Sequence, residues 1–230
     1  MFRYPLLLFV LALAPAAAPS LIAQTIEEQK QAVVAEGFAL YRLEKAAWNA
    51  TDIVQAQDEG IADNIGGYIT YSDGGLTHCT FYDQQTPPQV LVSLAFDSTF
   101  NPAVAVTDYT PRSLTEQELR LTQLRQEGIK ALQQDTSLRS YENTSFNLVP
   151  IVYAGVPKMY VLTGPQVSGV VVFGNDYLVT FDDEDKAAKV EKLHSDIIPV
   201  PYEKDGQPIE DVIPAHTDPD RALMTPTDIC

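Results

Sequence analysis

Apolar residues recur at helical spacing soon after the start of the chain. Thr25 lies three residues before Glu28, which is the spacing of a capping box at a helix N-terminus. The large apolar residues that follow fall on one side of a helix: Val34, Phe38, Tyr41 and Trp48. The pattern predicts a first amphipathic helix from about Ile26 to about Val54.

A second helical pattern lies near the middle of the chain. Ser113 and Glu116 have the capping-box spacing, and a Pro at position 111 precedes them at a natural break. An apolar series at helical intervals follows, consisting of Leu114, Leu121, Leu124, Ile129 and Leu132. We predict a second amphipathic helix that ends near Gln134.

Between and after these helices the apolar period changes to two, which is typical of strands. The stretch GYITYSDGGLTHCTFYD predicts a hairpin around Ser72–Gly75. Further strands are predicted at 89–97, 103–108, 158–162, 169–173, 177–181 and within KVEKLHSDIIPV. The pattern indicates an α+β fold in which two amphipathic helices pack on an antiparallel β-meander sheet, with an extended C-terminal tail.

We predict three regions: a signal peptide at 1–23, a single α+β domain at 24–200, and a polar tail at 201–230 that is loosely held. If the chain instead contained two folding units, the break would lie in the polar connector at 135–147. The predicted core consists of Phe38, Tyr41, Trp48, Leu91, Leu94, Leu124, Val161, Val171 and Phe173.

The first residues have the layout of a secretory signal. Arg3 precedes an apolar run from Leu6 to Leu13, and small residues follow, with cleavage expected after Ala18 or Ala23. The run is shorter than the roughly 20 residues that a membrane-spanning helix needs. The mature chain is therefore expected to be secreted or periplasmic, without a membrane span.

The net charge limits the class of partner that the chain can bind, and the cysteine content limits its disulfide bonds. The formal net charge of −16 disfavours binding to a phosphate backbone, so no nucleic-acid partner is expected. Cys79 and Cys230 are too few for a disulfide-framed scaffold. Two alternatives remain for them: a bridge that fastens the tail to the sheet, or a buried Cys79 with a free terminal thiol.

The last residues, HTDPDRALMTPTDIC, contain the densest candidate chemistry. Their candidate metal ligands are His216, Asp218 and Asp228, with the Thr225 hydroxyl as an accessory group. The stretch resembles the motif of the JAB/MPN (JAMM) metallopeptidases, which is His-x-His-Pro followed by Ser-x-x-Asp. Asp218 stands where the motif has its second His, and the sequence ends two residues after Asp228. The resemblance implies a zinc-dependent peptidase that is truncated or degenerate in this chain.

Longer blocks of the chain are similar to a family of uncharacterised secreted bacterial proteins. These blocks are NIGGYITY, SLAFDSTFN, YVLTGPQVSGVVVFGNDYLVTFD, LHSDIIPV and TPTDIC. The similarity implies a bacterial envelope or secreted setting and brings no activity with it.

Three classes of function follow from these patterns. The first is a non-catalytic exported domain that binds another exported protein or an envelope component, without a catalytic residue or cofactor. The second is the JAMM-like peptidase, for which zinc is the implied cofactor. The third is an acidic cation-binding or structural protein, for which the DDED run at Asp182–Asp185 supplies oxygen ligands. His78 and His194 are either further ligands or structural residues.

Overall fold

The computed structural model describes residues 25–57, 59–204, 207–208 and 223–230. The helices are α1 (Ile26–Gln57), α2 (Glu59–Ala62), α3 (Glu116–Gln134), α4 (Pro226–Ile229) and a 3₁₀ turn (Pro102–Val104). The strands before α3 are β1 (Ile65–Asp73), β2 (Leu76–Asp83), β3 (Gln89–Phe96), β4 (Val106–Asp108) and β5 (Arg112–Ser113). The later strands are β6 (Thr144–Tyr153), β7 (Val156–Pro165), β8 (Val170–Gly174), β9 (Tyr177–Phe181), β10 (Ala187–Lys192), β11 (Ile197–Pro201), β12 (Glu203–Lys204) and β13 (Gln207–Pro208).

The strands form two main antiparallel sheets. The first sheet has the order β1-β2-β3-β4, with β5 also paired to β3. The second sheet has the order β10-β9-β7-β6, and β11 pairs with β8 in a separate ribbon. The predicted α+β class with antiparallel sheet is confirmed.

The two long helices lie on opposite faces of these sheets. On β7, Tyr160 joins the apolar cluster of α1, whereas its neighbours Met159 and Val161 join the cluster of α3. Successive side chains of a strand point to opposite faces, so the helices cover opposite sides. In the first sheet, β2 and β3 contribute Cys79, Phe81, Val92, Leu94 and Phe96 to the cluster of α1.

The capping boxes set where the helices begin. The backbone N–H of Thr25 donates to the Glu28 carboxylate over 2.7 Å, as predicted. The second box was predicted two residues too early, because Thr115 and Glu118 form it in the structure. The Glu118 carboxylate also receives two hydrogen bonds from Arg112, at 2.6 and 2.7 Å, and this buried ion pair selects it over the exposed Glu116.

The predicted hairpin is present, whereas the connector after α3 was wrongly assigned. Gly74 and Gly75 join β1 to β2 with φ angles of 56° and 82°, in the left-handed region that glycine adopts without a steric penalty. The residues predicted as a connector run into β6, which pairs with β7 along its whole length. Polar Thr144 and Asn147 and the proline at 150 hide the strand pattern in the sequence.

The predicted core is correct in part. Leu94, Leu124 and Val161 are buried, and Leu91 and Phe173 are partly buried. The remaining four predicted core residues are exposed: Phe38, Tyr41, Trp48 and Val171. The helix buries a different stripe, which consists of Leu40, Leu43, Ala46, Ala47, Ala50 and Val54. Its alanines allow α1 to lie close to the sheets.

The end of the chain returns to the body of the molecule. Residues 226–229 form α4, which packs against α1, so the prediction of a loosely held tail is wrong for these residues. The contact is closest at Gly37, where a Cβ atom would lie 2.4 Å from the Cβ of Ile229. The predicted signal peptide lies outside the described residues. Among the helices of the described residues, none is long and apolar enough to cross a membrane.

Candidate functional site

The Thr-x-x-Asp spacing of the C-terminal stretch serves a helix N-terminus. Thr225 is the N-cap of α4, and a proline at the first helical position follows it. One oxygen of Asp228, Oδ2, accepts from the backbone N–H of Thr225 over 2.7 Å and from its hydroxyl over 2.8 Å. The pair therefore has a structural role that does not need a metal.

Asp228 also holds a histidine from the body of the molecule. His194 is 2% exposed and lies between two carboxylates. Its Nδ1 is 3.3 Å from Oδ2 of Asp176, and its Nε2 is 3.1 Å from Oδ1 of Asp228. We refer to Asp176, His194, Thr225 and Asp228 as the C-terminal lock.

The charged groups of the lock stabilise each other's ionised forms. Burial disfavours the imidazolium, but the hydrogen bonds to Asp176 and Asp228 outweigh it and raise the pKa of His194 to about 9. Burial likewise disfavours ionised Asp228, yet its bonds to His194 and Thr225 lower its pKa to about 2. At neutral pH the lock is a buried ion pair.

The base of the lock is fixed by neighbouring hydrogen bonds. The backbone N–H of Thr163 donates to Oδ1 of Asp176 over 2.9 Å, and the Thr163 hydroxyl donates to the carbonyl of Asn175 over 2.8 Å. The Tyr177 hydroxyl donates to the Asn175 side chain over 2.9 Å. Asp176 is therefore held in place by hydrogen bonds that do not involve α4.

This geometry does not suit acid–base catalysis. An imidazolium between two carboxylates carries a proton on each nitrogen and cannot accept one from a nucleophile. The Thr225 hydroxyl is 3.5 Å from Nε2 of His194 and donates instead to Asp228. Within the described residues, no group of three or more His, Cys, Asp or Glu side chains could hold a metal ion.

The predicted metal ligands are only partly described. Asp228 and the accessory Thr225 belong to the lock, whereas His216 and Asp218 lie outside the described residues. The zinc site therefore stays a prediction. The sequence placed His194 among several weak candidates and gave no sign of its partners, because Asp176 and Asp228 are distant from it along the chain.

A cleft of about 410 Å³ lies beside the lock, and Thr225 and the proline after it form part of its wall. At its centre, Oε1 of Glu36 accepts from the Lys158 ammonium over 2.6 Å and from the Tyr160 hydroxyl over 2.7 Å. Burial and the bond to Glu36 raise the pKa of Tyr160. These three polar groups satisfy one another, and Lys158 is paired rather than available as a nucleophile.

The outer side of α1 carries a row of exposed apolar side chains. We call Val34, Phe38, Tyr41 and Trp48 the aromatic face; their exposed fractions are 40%, 56%, 41% and 59%. Arg42 lies at its border, and half-buried Lys45 lies within it between Tyr41 and Trp48. The four positions share one side of the helix, opposite the buried stripe. The sequence showed these residues but gave no sign that they face outward.

The remaining candidates have structural explanations. Cys79 and Cys230 are free thiols in the structure, which favours the second of the two alternatives, and burial raises the pKa of Cys230 to about 12. In the DDED run, Asp185 forms an ion pair with Arg120, with hydrogen bonds of 2.7 and 2.9 Å. The ring of His78 stacks on a tyrosine, with the ring centroids 4.9 Å apart.

No family model matches the chain, and comparisons with curated proteins and with solved structures found no match.

Proposed function

We propose that this chain is an exported, non-catalytic domain that binds another protein subunit through the aromatic face of α1. The observation that carries the proposal is the exposure of Phe38, Tyr41 and Trp48 in one row of a long helix. Isolated exposed apolar residues are ordinary on a protein surface, but an aligned row is typical of an interaction site. Aromatic side chains contribute most to the energy of such sites.

The position of the row supports binding rather than a role in folding. The opposite side of α1 already supplies the core contacts through Leu40, Leu43 and Val54. Glycine at position 37 and the buried alanines show that this side was fitted to its neighbours. Among the described residues, the large aromatic side chains on the outer side add nothing to that packing, so we assign their contribution to a partner.

The polar groups of the lock and of the cleft support the non-catalytic part of the proposal. The lock holds its histidine as a charged ion pair, and Lys158 in the cleft is paired with Glu36. Each of these groups has a stabilising partner and a structural role. A domain with these features is more consistent with binding than with the JAMM-like reaction.

A photo-crosslinking amino acid at position 38 tests the proposal in the exporting cell. Leu119 on α3 is the matched control, because it is an apolar residue that is also 40% exposed on a long helix. We expect a discrete adduct from position 38 and from position 48, and none from position 119. Equal adducts from all three positions, or none from any, would refute the aromatic face as a binding surface.

A further inference from the structure

We infer that the partner on the aromatic face is a second copy of this chain, bound through antiparallel pairing of its α1. This inference rests on the proposed function and names the occupant of the same surface. A four-three spacing leads along the helix from Val34 to Phe38, Tyr41, half-buried Lys45 and Trp48. This spacing forms the seam of a two-helix coiled coil.

The length of the helix is sufficient for such a pair. The 32 residues of α1 extend over about 48 Å at 1.5 Å per residue. In the first ten residues, Ile26–Ala35, all but half-buried Val33 are exposed, and only Gln29 and Val33 among them face the cleft. Among the described residues, the side of the helix that carries the seam is therefore open to a second helix.

One antiparallel register pairs the aromatic residues of the seam with one another and with Lys45. With Phe38 opposite Trp48 of the second copy, Tyr41 faces Lys45, and both contacts occur twice because of the two-fold symmetry. The Tyr41–Lys45 contact brings an ammonium group to an aromatic ring, which is a favourable cation–π arrangement. Lys30, one turn before Val34, then comes within reach of Asp52 of the second copy.

The nearest alternative register loses these contacts. A shift that places Phe38 opposite Tyr41 of the second copy brings Val34 opposite Lys45, and Glu27 opposite Asp52, whose carboxylates repel each other. The Phe38–Trp48 contact and the Tyr41–Lys45 cation–π contact thus favour the first register. Because both contacts form between two identical seams, they favour a second copy over an unrelated helix.

The surface area is consistent with a specific interface. Each of the four side chains of the aromatic face exposes on the order of 100 Å², so two copies bring together roughly 800 Å² of apolar surface. The bordering polar residues bring the total close to the roughly 1,200 Å² at which specific interfaces begin. An anionic lipid surface is a poor competitor, because the chain carries a net charge of −16.

Sedimentation velocity of the purified mature chain, from about 1 to about 200 µM, tests the inference. We expect a monomer–dimer equilibrium with a Kd on the order of 10 µM. Trp48 is the only tryptophan, so its emission should shift to the blue along the same concentration curve. Phe38→Asp should raise the Kd by at least about 100-fold, since the change occurs twice per dimer. Leu119→Asp is the matched control and should leave the Kd unchanged.

A charge exchange tests the antiparallel direction of the pair. Lys30→Glu and Asp52→Lys should each raise the Kd by roughly 3-fold, and the double variant should restore it, because the exchanged charges meet across the interface. Failure of the double variant to restore the Kd overturns the antiparallel pairing.

The outcomes separate this inference from the proposed function. A chain that stays monomeric to about 200 µM, while position 38 still crosslinks to a different protein in the cell, overturns the second copy and leaves the binding surface intact. A third measurement uses vesicles of phosphatidylethanolamine and phosphatidylglycerol and follows the emission of Trp48. A blue shift of Trp48 on these vesicles without dimerisation would identify lipid as the occupant and overturn the inference.

Discussion

Glu44, on the buried side of α1, is a side chain whose ionisation makes the stability of the fold depend on pH. Its Oε2 accepts a hydrogen bond from Asn147 over 2.9 Å, whereas Oε1 is buried without a hydrogen-bond partner among the described residues. Burial raises its pKa to about 7, against the lowering effect of the Asn147 bond. An ionised carboxylate at this position opposes folding at alkaline pH.

The first prediction concerns the pH dependence of stability. The folded pKa of Glu44 lies above its ordinary value of 4.5, so stability is highest below pH 4.5 on this account and is lost as pH rises through 7. At pH 8, Glu44→Gln should raise the free energy of unfolding by about 3 kcal/mol, and at pH 4.5 it should have little effect. Urea unfolding at both pH values measures this, with the exposed Glu116→Gln as control. The same gain at both pH values would contradict the assignment.

At the scale of elements, α1 carries two apolar stripes and the sequence cannot tell which of them is inside. The large residues Phe38, Tyr41 and Trp48 were predicted to be core because the burial of large apolar side chains stabilises the folded state most. The structure buries the alanine-rich stripe instead, because close approach to two sheets and to α4 needs small side chains. Helix bounds follow from local pattern and caps, whereas orientation depends on partners that are distant in sequence.

Other elements show the same limit. Two adjacent glycines were sufficient to predict the β1–β2 hairpin, because the turn chemistry is local. The strand β6 was missed because its polar residues and proline do not alternate with apolar ones in the expected way. The lock joins three separate segments, so only the fold could bring Asp176, His194 and Asp228 together.

The second prediction tests the contact between α1 and α4. Gly37→Ala should favour α1 itself by about 1 kcal/mol, since alanine is the better helix former. The new Cβ would lie 2.4 Å from the Cβ of Ile229, so α4 must move away. Cys230 should then react faster with a thiol reagent in native buffer, while the fully buried Cys79 stays protected. An unchanged Cys230 rate in Gly37→Ala would contradict the close contact.

The third prediction removes the lock. In His194→Ala the carboxylates of Asp176 and Asp228 lose their buried counter-charge, which typically costs about 3–5 kcal/mol. Hydrogen exchange should show loss of protection at the amides of Asp228 and Cys230, and His78→Ala should leave these amides protected. Equal protection in His194→Ala and in the unmodified chain would exclude the lock as the fastening of α4.

The lock also has a defined pH window in the unmodified chain. The pKa of His194 is raised to about 9, so its stabilisation is complete below its ordinary value of 6.5 and is lost as pH rises through 9. The pKa of Asp228 is lowered to about 2, so its stabilisation is complete above 3.8 and is lost as pH falls through 2. Protection of the amides of Asp228 and Cys230 should therefore persist from about pH 4 to 6.5 and disappear above pH 9.

At the scale of the whole molecule, each of the two long helices packs on both sheets. Leu40 and Leu43 of α1 pack with Val149 and Ile151 of the second sheet, although most of its other core contacts are with the first. On the opposite face, α3 packs Leu121 and Leu124 on β1 and β2, and Leu132 on the second sheet. Each helix therefore covers parts of both sheets.

The last prediction follows from this arrangement. If the sheets unfold together, a change in the contacts between α3 and the first sheet must weaken both sheets equally. Leu124 is fully buried, so Leu124→Ala should lower the free energy of unfolding by about 2–5 kcal/mol. Native-state hydrogen exchange should report the same loss at the amides of Leu94 in the first sheet and Val161 in the second. Val104→Ala, at a position that is 60% exposed, is the control and should change neither amide. A loss at Leu94 that leaves Val161 unchanged would show that the chain folds as two units, with the polar residues after α3 as the boundary.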